Sequence, residues 1–321
     1  MIINDRIYGK FSVKEPVLLE LIKSKPVQRL KGISQLGVPS PFYHLPDFSR
    51  FEHSLGVMIL LRRIKASLEE QIAGLLHDIS HTAFSHVFDW VVGYNGSEDH
   101  QDKTHRSFFN NPEIEKIFKK YNLNKNKISN LERFSLLEQK IPRLCADRVD
   151  YALREFSLWA NPKSVPTLIR NLDSVDGKIV FINDKVAYTF ATSFLKLQRE
   201  HWGGYEAVAR YYLFSTILKD ALSKRILELD DFYKDDDFIV EKLTKSKDRE
   251  ILKGLTFLKH NPLSRKKGMK TVVINKKFRY VDPEVLAGRK VVRLSQISSS
   301  FKLFLTKQRA LNQKGIKVWV A

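Results

Sequence analysis

The pattern of apolar and polar positions predicts helices along most of the first 230 residues. Ser49 and Glu52 have the spacing of a capping box ahead of a long apolar segment, which predicts a helix from there to residue 68. Apolar residues at intervals of three and four predict the other helices. These cover residues 18–37, 68–78, 128–140, 145–159, 189–202 and 205–227.

After residue 230 the pattern changes. An acidic, turn-rich stretch at residues 230–238 leads into a predicted helix at residues 241–259. Runs rich in β-branched residues and bounded by Gly, Pro or Asn predict short strands. They lie at residues 270–281, 290–297 and 315–321. We therefore expect a mainly α protein, with an α-helical domain at residues 1–230 and a small, basic α+β lobe at residues 231–321.

Charge divides the chain at about the same place. The sequence has 55 Lys and Arg against 36 Asp and Glu, and residues 242–321 hold 21 of those bases but only four of the acids. This basic end has two interpretations. It is a lysine-rich solvated surface, or it is a surface for polyanions such as single-stranded nucleic acid or an anionic effector.

Two absences narrow the class of protein. Cys145 is the only cysteine, so an intrachain disulfide and a cysteine-cluster zinc site are both excluded. No apolar run approaches the roughly 20 residues that span a bilayer, and residues 1–10 lack the apolar core of a signal peptide. We expect a cytoplasmic protein.

Two histidines and two aspartates on three predicted helices are candidates for a metal site. His53 lies one turn into its helix, His77 and Asp78 end the next one, and Asp147 opens another. Imidazole and carboxylate ligands suit Mn, Mg, Fe, Co, Ni or Zn. Four protein ligands on an ion that prefers six leave positions for water and a substrate oxygen. These residues predict one divalent ion per site.

A stripe of residues extends from this site along one predicted helix. Asp147, Tyr151 and Glu155 follow at intervals of four, which places them on one helix face. A metal ligand, a ring and a carboxylate in that order fit a nucleotide from phosphate to sugar. An amphipathic helix with a solvated edge has the same pattern. Asp150 and Arg154 have the spacing of a surface ion pair.

The order H…HD…D, with the flanking stretches QLG, RFEHSLGV, AGLLHDISHTAFSHVFD and DRVDYALRE, resembles the HD-domain phosphohydrolase superfamily. The wider sequence is most similar to the deoxynucleoside triphosphate triphosphohydrolases of the sterile-alpha-motif/HD branch and their compact microbial relatives. The similarity is dense over residues 20–160 and weaker to about residue 260. The resemblance implies an HD-domain helical bundle and a homo-oligomer, either a dimer or a tetramer.

The resemblance also implies roles for individual residues. It implies metal binding by His53, His77, Asp78 and Asp147. The candidates for catalysis are His81, His86, Asp89 and His105, where the alternative is that these histidines are buried groups hydrogen-bonded to backbone or to a carboxylate. The candidates for substrate binding are Arg50 and Arg148 at the phosphates, and Gln35, Tyr151 and Glu155 at the sugar.

The function that the resemblance implies is metal-dependent hydrolysis of deoxynucleoside triphosphates to deoxynucleoside and inorganic triphosphate. Two alternatives stay open at this point. One is an HD-type nucleotide phosphatase or phosphodiesterase that acts on nucleotides or oligonucleotides with the same ligands. The other is a nucleic-acid-binding protein that uses its basic lobe, for which a steep salt dependence of strand binding is the expected property.

Overall fold

The computed structural model describes residues 1–93, 100–260, 262–263, 270–275 and 277–320. α-Helices predominate in these residues and confirm the predicted fold class, mainly α with a small α+β region at the C-terminal end. The helices within the described ranges are α1 (Pro16–Lys23), α2 (Lys25–Arg29), α3 (Arg50–Arg63), α4 (Leu68–Leu76), α5 (His86–Val91), α6 (His100–Phe108), α7 (Pro112–Lys120), α8 (Lys125–Ile128), α9 (Ala146–Glu155), α10 (Val165–Arg170), α11 (Asp184–Leu197), α12 (Tyr205–Ser223), α13 (Asp236–Lys245), α14 (Arg249–Leu258), α15 (Leu294–Ile297) and α16 (Ser299–Asn312).

The predicted capping box starts α3. The Ser49 hydroxyl accepts a hydrogen bond from the backbone N–H of Glu52 at 3.2 Å, and the Glu52 carboxylate accepts one from the Ser49 N–H at 3.0 Å. Ser67 caps α4 in the same way through the Glu70 N–H. Such a cap contributes about 1 kcal/mol. The local sequence therefore fixes where both ligand-bearing helices begin.

Three predicted helices are wrong in part. The one at residues 18–37 is divided into α1 and α2 at Ser24, whose backbone is extended, and the helical residues end with a 3-10 turn at Leu30–Gly32. Residues 128–140 contain only the end of α8 and a short 3-10 turn, Leu131–Arg133, because the buried Glu70 carboxylate accepts the backbone N–H groups of Leu136 and Leu137. The helix predicted at residues 241–259 is divided into α13 and α14 at Lys247, whose φ of 57° is left-handed. Of residues 290–297, only the first half is a strand, and the second half is α15.

Short strands form three sheets within the described residues. β1 (Ile2–Asp5) and β2 (Gly9–Ser12) form a hairpin, and β5 (Lys270–Ile274) pairs antiparallel with β8 (Ile316–Val320). The third sheet contains β3 (Leu172–Val175), β4 (Lys178–Phe181), β6 (Glu284–Ala287) and β7 (Lys290–Arg293) in the order β3-β4-β6-β7. β4 and β6 are parallel neighbours from opposite sides of residue 230.

The main hydrophobic core also draws on both parts of the chain. Met58 of α3 and Phe194 of α11 lie in the same buried cluster as Val285 of β6 and Phe301 of α16. The division of the chain at residue 230 stays a prediction. Among the helices of the described ranges, none has both the length and the apolar character needed to cross a bilayer.

Two helices end in wide π-helical turns. α9 continues into one at Phe156–Ala160, and α11 continues into one at Gln198–Trp202. A π-helical turn closes hydrogen bonds over one residue more than an α-helical turn, and such turns are frequent at functional sites. His201 and Trp202 of the second turn line the cavity described next, and the first turn begins directly after Glu155, which lines it too.

Candidate active site

Three of the four predicted metal ligands converge on one point. His53 on α3, His77 immediately after α4 and Asp147 near the start of α9 each bring a ligand atom to within 4.8 Å of the others. The His53 Nε2 atom lies 3.2 Å from His77 Nε2 and 2.9 Å from the Asp147 Oδ1 atom. The histidines are buried, whereas 25% of the Asp147 side chain is exposed. The group is therefore open to a ligand from the Asp147 side.

The outer hydrogen bonds of the histidines leave both Nε2 lone pairs directed at this point. His53 Nδ1 donates to the Asp150 carboxylate at 2.7 Å, and His77 Nδ1 donates to the Gly74 carbonyl oxygen at 2.7 Å. In the neutral form of each ring, a proton on Nδ1 leaves Nε2 unprotonated, and this is the form that binds a metal. Burial lowers the pKa of both rings, but the surrounding carboxylates outweigh burial and raise it, that of His77 to about 9, so a metal ion that binds here displaces protons. Two such acceptors facing each other beside a carboxylate match the donor set of a divalent metal ion with its orienting hydrogen bonds. The residues present fit the implied metal.

Asp78 lies at the edge of this group. Its Oδ1 atom is 3.4 Å from His77 Nε2 and 3.3 Å from His81 Nε2, and its Oδ2 atom accepts from Arg50 Nη1 at 2.6 Å. Burial raises the pKa of the Asp78 carboxyl, but the charges of Arg50 and His77 outweigh burial and hold that pKa well below its usual range. Asp78 is thus an ionised carboxylate beside the three convergent ligands.

The interpretation of Asp150 and Arg154 as a surface ion pair, made from the sequence, is wrong in one respect. They form the expected pair, with Arg154 Nε 2.7 Å from Asp150 Oδ2, but both residues are buried and the pair is not on the surface. Arg154 also contacts Asp5 at 2.7 Å. A Cβ atom at Gly56 of α3 would overlap both charged groups, so the glycine allows this close approach. Through its hydrogen bond to Nδ1, Asp150 orients the ring of His53, a predicted metal ligand.

A network of hydrogen bonds positions Arg50. Its Nε atom donates to the Ser85 hydroxyl at 2.6 Å, and that hydroxyl donates to the Ser34 carbonyl oxygen at 2.8 Å. The Asp236 carboxylate at the start of α13 accepts the backbone N–H groups of Ser34 at 2.9 Å and Phe84 at 2.7 Å. Phe84 and Ser85 have left-handed φ values of 63° and 48°. Asp236 therefore stabilises the strained turn that carries the partner of Arg50.

The histidines predicted to act in catalysis lie near the metal ligands. The His81 ring is 5.3 Å from the His86 ring, and His86 Nδ1 contacts Asp89 Oδ2 at 3.2 Å. The buried His105 lies 3.4 Å from the Ser80 hydroxyl. Burial, followed by the charge of His77, lowers the pKa of His105 to about 4, and burial together with Arg50 lowers that of His81 well below its usual value. His86, whose side chain is 30% exposed, is the most accessible of the three.

The predicted substrate residues line one cavity of about 1340 Å³ together with the predicted metal ligands His77, Asp78 and Asp147. The set consists of Gln35, Arg50, Arg148, Tyr151 and Glu155. Two of them already have partners. Arg148 donates to the carbonyl oxygens of Arg143 at 2.6 Å and Gln139 at 3.1 Å. Glu155 accepts from His201 Nδ1 at 2.7 Å and from Trp202 Nε1 at 2.9 Å.

Several residues of the site were not found from the sequence. His201 joins Glu155 to the Tyr43 hydroxyl, which lies 2.6 Å from His201 Nε2. Burial, followed by the charge of Asp147, raises the pKa of Glu138 to about 7 beside the ligand group. These residues come from loops and from a π-helical turn without a recognisable motif. The cavity also takes basic residues from the C-terminal part, including Lys277 and Arg279.

In this helical fold, two histidines and a carboxylate converge beside a cavity. This arrangement is typical of one class of protein, helical proteins that bind a divalent metal beside a substrate cavity. Comparison with known proteins narrows this class. A model of the HD domain matches residues 50–152. The uncharacterised protein YdhJ of Bacillus subtilis is 35% identical over 319 residues, covering 94% of this chain and 94% of that protein. The chain belongs to the HD-domain phosphohydrolase superfamily.

Other similarities cover less of the chain or show only the fold. The metal-dependent phosphohydrolase cns2 of Cordyceps militaris is 44% identical over 155 residues, which are 48% of this chain and 45% of that protein. The deoxynucleoside triphosphate triphosphohydrolase SAMHD1 of Bos taurus is 41% identical over 105 residues, which are 27% of this chain and 17% of that protein. A phosphohydrolase structure from Bacteroides thetaiotaomicron matches with a TM-score of 0.68 at 18% identity, over 94% of this chain and 95% of its own.

Proposed function

We propose that the protein hydrolyses deoxynucleoside triphosphates, in a metal-dependent reaction, to deoxynucleoside and inorganic triphosphate. One observation carries the proposal. His53, His77 and Asp147 converge on one point beside a cavity of about 1340 Å³, which exceeds the roughly 300–1000 Å³ of common small-molecule sites. The cavity therefore has room for a whole nucleotide next to the ligand group. The fungal relative is a metal-dependent phosphohydrolase and the bovine relative is a deoxynucleoside triphosphate triphosphohydrolase, and both agree with this chemistry.

His53, His77, Asp78 and Asp147 would hold the ion in this proposal. A divalent ion bound there supplies a Lewis acid for the phosphoryl group and a lower pKa for an attacking water. Arg50, held by Ser85 and Asp78, presents its guanidinium at the cavity wall to stabilise negative charge that develops on phosphate. The Tyr151 ring lies 5.5 Å from the Trp202 ring and provides an apolar wall for the sugar.

The departing 5′-oxygen needs a proton, and His86 is the residue that we propose to donate it. His86 lines the cavity, and its Nδ1 atom lies 3.2 Å from the Asp89 carboxylate, which orients the ring for proton transfer. His81 and His105 are less suited to this role because burial opposes a positive charge on their rings. We assign these two to positioning phosphate oxygens.

Glu155 has a different role from the one that the resemblance implies. Both of its carboxylate oxygens already accept hydrogen bonds, from His201 and Trp202. We therefore propose that Glu155 holds the wall of the nucleoside site, and that Gln35, whose buried Oε1 atom has no hydrogen-bond partner among the described residues, is the residue that contacts the sugar.

The experiment that tests the function is product analysis by ³¹P NMR. The purified protein is stripped of metal, supplied with Mn²⁺, Mg²⁺ or Fe²⁺, and incubated with each deoxynucleoside triphosphate. We expect inorganic triphosphate and free deoxynucleoside, with loss of turnover for Asp147→Ala and normal turnover for Asp173→Ala, an exposed aspartate on β3. Stepwise release of orthophosphate would replace the proposal with a nucleotide phosphatase. Cleavage of oligonucleotides alone would replace it with a phosphodiesterase.

A further inference from the structure

A short extended segment of the C-terminal part, residues 277–280, is fixed against the wall of the active-site cavity. The Gln198 side chain, 2% exposed, holds it at two points. Gln198 Nε2 donates to the Lys277 carbonyl oxygen at 3.3 Å, and Gln198 Oε1 accepts from the Arg279 backbone N–H at 3.1 Å. A buried side-chain amide that satisfies both backbone groups of an extended chain fixes its register, much as a neighbouring strand does.

Alternation along this segment separates its basic residues from its aromatic residues. Successive side chains of an extended chain point to opposite sides. Lys277 and Arg279 line the active-site cavity, whereas Phe278 lines a separate small cavity with Gln308 and Leu311 of α16. The rings of Phe278 and Tyr280 are stacked with centroids 5.1 Å apart, and Arg309 lies 4.9 Å over Tyr280. The aromatic side anchors the segment, so the basic side faces the cavity.

These two cations add positive charge to the cavity that Arg50 and Arg148 also line. Arg50 is paired with Asp78, and the guanidinium of Arg148 donates to two backbone carbonyl oxygens. Burial raises the pKa of the Tyr151 hydroxyl, and the charges of Arg148 and Arg279 oppose that rise, which puts Arg279 within electrostatic reach of the centre of the site. Lys140 and Arg143, from the loop before α9, line the same cavity.

We propose that Lys277 and Arg279 form a polyphosphate subsite, which holds the phosphate groups of the substrate beyond the one that is attacked. The inference rests on the proposed function, because it names the residues that would let this site select a triphosphate over a phosphodiester. It gives the basic C-terminal part a defined ligand, the polyphosphate chain of a nucleotide. A lysine contributes a point charge and an arginine a planar fork, and both suit phosphate oxygens.

The test compares two variants that lose the same charge. Lys277→Gln/Arg279→Gln removes the subsite, and Lys302→Gln/Lys307→Gln removes two exposed lysines of α16 that do not line the cavity. Binding of inorganic tripolyphosphate is measured by calorimetry without divalent ions, at several salt concentrations. We expect the first variant to bind roughly tenfold more weakly, about one charge-assisted contact, with a smaller salt dependence, and the control to bind like the wild type.

Kinetics provide a second readout. We expect the KM for a deoxynucleoside triphosphate to rise roughly tenfold in Lys277→Gln/Arg279→Gln, while the KM of the α16 control equals that of the wild type. The single variant Lys277→Gln changes an exposed side chain and therefore tests the subsite if the double variant does not fold. Tripolyphosphate binding equal to that of the wild type in both subsite variants would overturn the proposal.

The subsite and the function can fail separately. If the wild type hydrolyses no deoxynucleoside triphosphate but tripolyphosphate binding still weakens in the subsite variants, the subsite stands and the substrate class is wrong. If the wild type hydrolyses the triphosphate and the subsite variants match the α16 control in KM and in binding, the function stands and the subsite is wrong.

Discussion

At the scale of single residues, the orientation of His53 depends on a carboxylate that does not itself reach the metal position. Asp150 accepts the Nδ1 proton of His53 and also holds Arg154, which in turn contacts Asp5. This arrangement fixes the ring and its tautomer, and such partners of metal-ligating histidines typically change metal affinity when they are removed. The chain of contacts from Asp5 to His53 allows this effect to be separated from a loss of stability.

Asp150→Asn is expected to weaken Mn²⁺ binding by about 10–100-fold, because the amide no longer draws the Nδ1 proton of His53 as a carboxylate does. The measurement is a calorimetric titration of the metal-free protein at a temperature where circular dichroism shows it folded. Asp5→Asn is the matched control, since it removes a partner of Arg154 and leaves the His53 contact intact. Equal metal affinity in all three proteins would contradict the orienting role of Asp150.

A second residue-scale prediction concerns His44 and acid stability. Burial, followed by the charges of His201 and Arg210, lowers the pKa of His44 from 6.5 to about 3. Between those values the unfolded chain binds a proton that the folded chain does not, so the free energy of unfolding falls as the pH is lowered through this window. Because His44 is only half-buried, we expect a contribution of about 1 kcal/mol between pH 7 and pH 5.

Urea unfolding of the wild type and of His44→Gln at pH 7 and at pH 5 checks this contribution. The difference in free energy of unfolding between the two pH values should be about 1 kcal/mol smaller in the variant. Comparing differences removes any effect of the substitution that does not depend on pH. An identical difference in both proteins would show that His44 does not titrate in this way.

At the scale of elements, the start of α13 holds the turn that precedes α5. Asp236 accepts the backbone N–H groups of Ser34 and Phe84, two buried residues far from it in sequence. Removal of the carboxylate leaves both donors without a partner in a buried environment, at a cost of about 1–3 kcal/mol each. The same turn carries Ser85, the partner of Arg50, so the loss extends to the active site.

Asp236→Ala is therefore expected to lower the free energy of unfolding by about 2–5 kcal/mol and to raise the KM for the phosphorylated substrate. The neighbouring Asp237 is exposed on the same helix turn, and Asp237→Ala should remain within about 0.5 kcal/mol of the wild type. Chemical denaturation measures both values. Similar stabilities of the two variants would mean that water replaces the carboxylate at Ser34 and Phe84.

The elements that could be predicted are those with a local cause. Ser49 and Glu52 lie three residues apart and define the start of α3 by themselves, so the sequence was sufficient there. The loop near Leu136 could not be predicted, because its backbone N–H groups bond to Glu70, 66 residues away. Asp150 was misinterpreted for a related reason. Its spacing from Arg154 is that of a surface pair, and only the packing of α3 over it, permitted by Gly56, shows that it is buried.

The same distinction, between local patterns and contacts of distant segments, applies to the candidate site. The metal ligands could be predicted because histidine and aspartate in a fixed order are a local pattern, and three of the four predicted residues lie within ligand distance of one another. Tyr151 and Glu155 could be predicted to lie on one side of the site because they share a helix face with Asp147, and both line the cavity. Their partners His201 and Trp202 come from a distant turn whose sequence has no motif. Contacts between distant segments depend on the tertiary fold and have no signature in the chain.

At the scale of the whole molecule, the two parts distinguished by charge share one sheet and one core. β4 pairs in parallel with β6, and Val285 and Phe301 are buried in the same cluster as Met58. A C-terminal part that was merely appended would instead have its own core and a polar junction. We therefore expect the full chain to unfold as one cooperative unit.

Differential scanning calorimetry tests this expectation. The chain should give a single transition in which the calorimetric and van't Hoff enthalpies agree. A fragment that ends at residue 230 should lack that transition, because it lacks β6 and the buried side chains of α16. Two resolved transitions in the full chain would show instead that the parts are thermodynamically independent.

The π-helical turns that follow α9 and α11 have a consequence for how the sequences of related chains can vary. Each contains one residue more than a regular helix would use, and the two meet where Glu155 bonds His201. Deleting one amino acid from either turn would return it to α-helical spacing and move side chains within the turn by up to about 100° around the helix axis. Among related chains, a one-residue gap at these places would thus reshape the nucleoside pocket even where every lining side chain was kept. The number of residues in these turns, as well as their types, therefore affects which ligands the pocket can bind, and related chains inherit both.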